Sequence, residues 1–272
     1  MQQEQINNLE ILQFELLKVK SLCHFSTTRR GGVSEGNYES LNMGNLSDDF
    51  PENVYENRKR LTKAIGAEAN NLFVPHQTHS SNICLIDQMF LSLPPEEQQA
   101  RLRDVDALIT NQPDIAIGVT TADCVPVLLF DPVRNVLAAI HAGWKGTAAH
   151  IAAQTVHVMQ QAFASAPKDI VAGIGPSISP EKFEVGDEVG NAFSEAGYDL
   201  AHILFRNEET GKLHIDLWEA NRLQLIEAGV IAANIEVAGL CTYSDADRFF
   251  SARRQSIHSG RMLTGGMILS AE

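Results

Sequence analysis

Thr120-Thr121-Ala122-Asp123-Cys124-Val125-Pro126-Val127-Leu128-Leu129-Phe130, continued by Asp131-Pro132-Val133-Arg134-Asn135 and then Val136-Leu137-Ala138-Ala139-Ile140-His141, is the stretch whose reading decides the fold. Two apolar runs, 125–130 and 136–140, flank a turn-rich pentapeptide, so strand, tight connection and strand is the economical reading. Antiparallel pairing across so short a connection predicts that Cys124, entering the first strand, and His141, leaving the second, lie at the same end of a sheet. Gly143-Trp144-Lys145-Gly146 then turns the chain into an Ala-rich helical stretch, 147–163, with Thr147 as its expected cap. The amino end of that helix and Lys145 together are an expected anion site.

Working outward, residues 72–75 and 83–86 read as strands around the polar corner His76-Gln77-Thr78-His79. Pro75 and the β-like flanks argue for extended chain there, where residues three apart point oppositely, so at most one of the two histidines is expected to bind a metal. Residues 104–109, 115–119, 170–174 and 235–240 read as further strands, and 267–269 as a last apolar run. Helices are expected at 52–65, opened by Pro51 and stopped by Gly66, at 94–102, near 187–196, and at 217–228, where Asp216 and Glu219 have capping-box spacing. Residues 8–19 carry too weak a pattern to assign. The loop Thr28-Arg29-Arg30-Gly31-Gly32 offers two forked donors suited to phosphate or carboxylate.

With 272 residues, 44% of them hydrophobic, the chain has material for a sizeable core. It shows no internal repeat, low-complexity tract or Pro/Ser-rich linker, so one α+β domain of mixed β-sheets flanked by helices, spanning 1–272, is expected. A net charge of -13 argues against a broad nucleic-acid footprint and against an anionic membrane surface. The start, Met1-Gln2-Gln3-Glu4-Gln5, has neither the cationic flank nor the apolar block of a secretory signal, which predicts a soluble, cytoplasmic protein. Cys23, Cys84, Cys124 and Cys241 form no C-x-x-C pair, so disulfides and a zinc knuckle are not expected and three of the four are read as buried thiols.

Three candidate ligands stand out: His79, Cys124 and His141. Two imidazoles and a thiolate with no fourth protein ligand suit zinc with an open position, and copper competes for the same set. The same closeness also suits a Cys124 nucleophile activated by His141, or plain structure, and spacing alone leaves the three readings open.

Thr121-Ala122-Asp123-Cys124, His141-Ala142-Gly143-Trp144-Lys145-Gly146, Gln77-x-His79, the loop 28–34, Ser40-Leu41-Asn42-x-Gly44, and Cys241-Thr242-Tyr243 with Phe250-Ser251-x-Arg253-Arg254 together resemble one family. It is the family once called multicopper polyphenol oxidoreductase laccases, now purine nucleoside phosphorylases, also labelled peptidoglycan editing factors. The resemblance runs from about residue 25 to 262. It implies a layered α/β/β/α sandwich with zinc held by His79, Cys124 and His141. It implies phosphorolysis of adenosine, inosine and methylthioadenosine, a transfer of the ribosyl group to phosphate, with adenosine deamination as a second reaction. Purine nucleosides and phosphate are the implied partners. Cys124, His141 and Asp123 become the candidate catalytic residues, with Glu184 a second proton carrier, and Arg29, Asn42, Arg58 and Lys145 the candidate substrate contacts. Copper-dependent phenol oxidation is the alternative activity, and a peptidoglycan-precursor editing or binding role the non-catalytic one. Trp144 is a candidate base-stacking residue, and Arg253 and Arg254 a candidate pocket wall.

Overall fold

The computed structural model describes residues 1–45 and 47–270. The strands in chain order are β1 (Gln2–Ile6), β2 (Leu9–Gln13), β3 (Leu22–Thr27), β4 (Leu72–Phe73), β5 (Ile83–Leu85), β6 (Ala107–Thr110), β7 (Ala116–Thr121), β8 (Val125–Asp131), β9 (Val136–Ala142), β10 (Val171–Ile174), β11 (Glu184–Val185), β12 (Leu204–Arg206), β13 (Leu213–Ile215), β14 (Ile235–Val237) and β15 (Met262–Ile268). The helices are α1 (Pro51–Ile65), α2 (Gln88–Leu91), α3 (Pro95–Arg101), α4 (Trp144–Ala148), α5 (Ile151–Phe163), α6 (Asp187–Glu195), α7 (Leu200–Ile203), α8 (Leu217–Glu227) and α9 (Ala252–Gln255).

One mixed sheet runs β1-β2-β3-β15-β7-β4, a second β14-β10-β8-β9-β6-β5, and a small third sheet β11-β13-β12. The period-2 alternation of β8 and β9 explains how the two large sheets stack. Val125, Val127, Leu129, Val136, Ala138 and Ile140 pack with α5, α6 and α8 on one side. Leu128, Phe130, Leu137 and Ala139 pack with Ile117 and Val119 of β7 on the other. The outer face of the first sheet is closed by Leu61 and Ile65 of α1 against Leu9, Phe25 and Leu263. The layers are therefore helix, sheet, sheet, helices, the α+β sandwich expected from the motifs. Among the described residues no helix is long and apolar enough to cross a membrane.

The decisive hairpin forms in the expected register, Val125 opposite Ala142 and Asp131 opposite Val136, which sets Cys124 beside the end of β9. Asp131 Oδ1 accepts the N–H groups of Val133 and Arg134 and closes the turn. α1 starts on Pro51 and ends on Gly66 in the left-handed region, and Asp216 caps α8 by accepting from Glu219 N.

Three expectations are corrected. The single helix 147–163 is two helices, α4 and α5, because His150 takes φ 59 between them, and Thr147 lies inside α4 instead of capping a helix. The last strand is longer than 267–269 and runs through Gly265-Gly266, pairing β3 on one edge and β7 on the other. A Cβ on Gly265 would lie 2.2 Å from the Ile117 carbonyl oxygen, so the glycines are what allow this strand into the sheet. The cysteines differ too: Cys23, Cys84 and Cys241 are half-buried, not buried.

His24, 1% exposed, accepts the Phe14 N–H on Nε2 at 2.9 Å while its Nδ1 finds no partner. Burial disfavours its charged form and holds its pKa down at about 4 against an ordinary 6.5. The unfolded chain therefore takes up the proton first, and the folded state keeps its full share of stability above about pH 6.5 and loses it as pH falls through 4. Wild-type stability is expected to drop by roughly 3 kcal/mol more between those pH values than that of His24→Gln, which keeps an acceptor for Phe14 without titrating. Denaturant melts across this range check it, and identical pH profiles would remove His24 from the acid response.

Candidate metal centre

Strand alternation aims the expected ligands at one point. His141 follows Leu137 and Ala139 on the face of β9 that looks toward the first sheet, and Cys124 precedes β8 beside it. His79 comes from the loop between β4 and β5, with φ 61. One ligand atom from each of the three residues lies within 4.8 Å of the others. Cys124 Sγ is 3.7 Å from His79 Nε2, and the two imidazoles meet edge to face with centroids 4.9 Å apart. His76 stays outside this group, exposed, with its backbone bonded to Leu102 and Val105.

Sequence reasoning missed Asp106, which is fully buried one residue before β6. Its Oδ1 lies 2.7 Å from His141 Nδ1 and accepts the His79 backbone N–H at 3.1 Å. Its Oδ2 accepts the Ser80 hydroxyl and N–H, both at 2.7 Å, and the Thr78 N–H at 3.2 Å. One carboxylate thus fixes His141 with its proton on Nδ1, frees Nε2 for Cys124, and shapes the loop that carries His79. The available signal was a lone carboxylate heading an apolar strand, which must find buried donors. Gln77 secures the other side of the loop by bonding both backbone groups of Thr120 at 2.8 Å.

Burial pushes the Asp106 carboxyl up, but the donors from His141 and Ser80 outweigh it and hold the group at about 2. Burial likewise opposes ionisation of Cys124, and the adjacent His141 and His79 prevail, lowering the thiol to about 6. His141, disfavoured by burial, is raised by Cys124 and Asp106. The cluster therefore favours a thiolate, the form that binds a metal.

These residues fit a small tetrahedral ion. Zinc–sulfur and zinc–nitrogen bonds of about 2.3 and 2.0 Å at a tetrahedral angle place sulfur and nitrogen about 3.5 Å apart, close to the spacing of Cys124 and His79. A Cβ on Gly143 would stand 2.8 Å from His79 Cδ2 and 3.1 Å from Cys124 Sγ, so the backbone closes in on the ligands where only glycine allows it. Gly143 has φ -67, so Gly143→Ala is expected to fold normally. It should weaken metal binding by roughly tenfold or more, as disturbed ligand orientation does. Competition with a chromogenic chelator measures this, and wild-type affinity would show that His79 yields without leaving the ion.

The open side of the cluster faces a cleft of about 420 Å³ whose walls include Trp144, Lys145, Ile178, Phe183, Leu217 and Arg253. Of the four expected substrate contacts only Lys145 lines it. Arg29 spends its guanidinium on the carbonyls of Glu39 and Ala246, and Arg58 on that of Met43. Burial without a carboxylate partner lowers Arg58 to about 10. Asn42 is fully buried, bonding Asp49, Ser47, Gly44 and Arg261. These three residues hold the backbone around 39–44 in place. Arg30 and Arg248 both pair with the buried carboxylate of Glu10.

Asp123, at φ 86, lines the cleft, but its Oδ1 accepts from Thr242 Oγ1 at 2.7 Å and its Oδ2 from Ser251 Oγ at 2.9 Å and Arg253 N at 2.7 Å. It joins the segments around 242 and 251 to the Cys124 turn. The Glu184 carboxylate is held low by its ion pair with Lys212 at 2.7 Å. Arg254 donates to the carbonyls of Thr242, Tyr243 and Phe249, and Cys241 Sγ accepts the Ser179 N–H at 3.3 Å, so both pin backbone at the edge of the cleft.

The sequence profile described as "Multi-copper polyphenol oxidoreductase laccase" matches residues 23–269. The chain is 48% identical over 253 residues to a "Purine nucleoside phosphorylase" of Bacteroides thetaiotaomicron, covering 93% of this chain and 94% of that one. It is 42% identical to "Adenosine deaminase RL5" of an unknown prokaryotic organism, covering 94% and 98%. The crystal structure of YlmD from Geobacillus stearothermophilus superposes with a TM-score of 0.89 at 30% identity, over 98% of each chain.

Proposed function

The chain belongs to the multi-copper polyphenol oxidoreductase laccase family, and from that membership we propose that it is a zinc-dependent purine nucleoside phosphorylase that also deaminates adenosine. The observation that carries this reading is a three-ligand cluster of His79, Cys124 and His141 whose open side faces an aromatic-walled cleft. In phosphorolysis the bond between purine nitrogen and C1′ breaks while phosphate oxygen bonds C1′, giving free base and ribose 1-phosphate. In deamination, water replaces the amino group of adenosine and ammonia leaves. When bound, the ion supplies Lewis acidity at the cleft, drawing electron density from the purine or making water acidic enough to attack it.

The chain's own residues hold and orient. Asp106 fixes His141 and the His79 loop, so both ligands are set before the ion arrives. Trp144 and Phe183 present flat apolar faces that suit a purine. Asp123, bonded by Thr242, Ser251 and Arg253, acts by positioning the cleft walls and does not carry the proton. Glu184 is similarly committed to Lys212. Adenosine, inosine and methylthioadenosine share the base and ribose that such a cleft admits, and they are the substrates proposed. A cysteine that serves as a metal ligand must stay reduced, which suits a cytoplasmic site of action.

Phenol oxidation by copper is the weaker reading. Laccase chemistry calls for several copper centres, and the described residues bring one three-ligand group together. Adenosine incubated with and without phosphate and resolved by chromatography separates the readings. Adenine formed only with phosphate, and inosine formed without it, are the expected products. Oxygen uptake on a phenol with neither product would replace the proposal with the oxidase.

A further inference from the structure

Lys145 and Arg253 enter the cleft from distant segments of the chain. In a protein with 34 acidic and 21 basic residues, both stand among the described residues without an ion-pair partner, although Glu184 is close enough to Arg253 to feel its charge. Glu184 spends its carboxylate on Lys212 instead. The Arg253 guanidinium is fixed in place: it lies 5.4 Å over the Phe183 ring, its Nη2 donates to the Glu184 carbonyl at 2.9 Å, and its own backbone N–H is tied to Asp123. Its Nε and Nη1 have no acceptor among the described residues. Lys145 is steadied 5.6 Å over the Trp144 ring. An ammonium and the free edge of an arginine fork facing one cleft form a receptor for a phosphate dianion.

We propose that Lys145 and Arg253 form the phosphate clamp of the cleft. The inference rests on the phosphorolysis reading for its role and on the unpaired cations for its chemistry. It moves the anion site away from Arg29, whose donors are taken by carbonyls, and from Arg58, whose Nε and Nη2 bond Met43, neither of which lines the cleft. The phosphate is either free inorganic phosphate or the 5′-phosphate of a nucleotide, since both present the same oxygens.

The test uses the metal-loaded full chain. Lys145→Gln and Arg253→Gln are each expected to raise the KM for inorganic phosphate about tenfold or more, while the KM for adenosine rises less than threefold. Lys145→Arg and Arg253→Lys should recover most of that loss, which a merely structural role would not predict. Equal rises in both constants overturn the clamp, and an unmoved phosphate KM removes inorganic phosphate as its ligand and leaves the 5′-phosphate to the titrations. Calorimetric titration with inorganic phosphate and, separately, with adenosine 5′-monophosphate needs no turnover. Weaker binding of either anion in the Gln variants supports the clamp and identifies its source, and unchanged binding of both overturns it. A wild-type protein that binds phosphate yet never cleaves adenosine would sink the phosphorylase reading and leave the clamp standing.

Discussion

Cys124→Ala is expected to lose metal and activity together, retaining under about a tenth of an equivalent of zinc and falling roughly 10³-fold or more in adenine release. Loss of one of three ligands leaves two imidazoles, too few to hold zinc at micromolar protein. Because Cys124 lies half-buried just before the start of β8, its removal leaves the two hydrophobic clusters of that strand intact, so the variant should stay folded. Metal analysis after dialysis and a thermal melt on the same sample check both halves. Full activity in metal-free wild-type protein would instead revive the thiol reading, for which the His141–Asp106 contact at 2.7 Å supplies the remaining geometry.

The second large effect is expected at a residue that touches no ion. Asp106→Asn keeps the shape of the side chain but replaces one of its two acceptor oxygens by a donor, which is set either against the Thr78 and Ser80 N–H groups or against the His79 N–H and the His141 ring. Leaving buried donors opposed costs about 2–4 kcal/mol of stability. Loss of the charged acceptor behind His141 should also cut metal affinity by about 10–100-fold. Denaturant melts of the metal-free protein and chelator competition on the loaded protein measure the two effects separately. Undiminished metal affinity would show that packing alone, without Asp106, sets the histidines.

The hairpin and its consequence were legible in the sequence because β8 and β9 are apolar over 125–130 and 136–140 and their connection is short, which fixes the register that sets Cys124 beside His141. The helices with strong punctuation, α1 and α8, were legible for the same reason. Other parts were hidden by long-range effects. β15 contains Gly265-Gly266, which carries no local strand signal and becomes strand only because β3 and β7 pair with it on both edges. β1 and β2 pair with each other, and β2 is drawn into the first sheet by β3, a partner that the local pattern at 8–19 does not reveal.

The site divides along the same line. The metal triad could be picked out by residue type, since histidine and cysteine at strand ends are few in this chain. Asp106 could not, because its importance lies in meeting His79 and His141 through bonds across three elements. The arginines at 29 and 58 looked like anion contacts because their charge is visible in the sequence, while the carbonyls that occupy them are not. Arg253 was the reverse case, a residue whose free donor edge appears only once Phe183 and Glu184 are in place.

X-ray absorption at the zinc edge on the purified protein tests most directly whether His79, Cys124 and His141 hold the ion. One zinc per chain with one sulfur and two imidazole nitrogens in its first sphere, the sulfur vanishing in Cys124→Ala, is the spectrum expected. A zinc surrounded only by oxygen and nitrogen in wild-type protein would contradict the account.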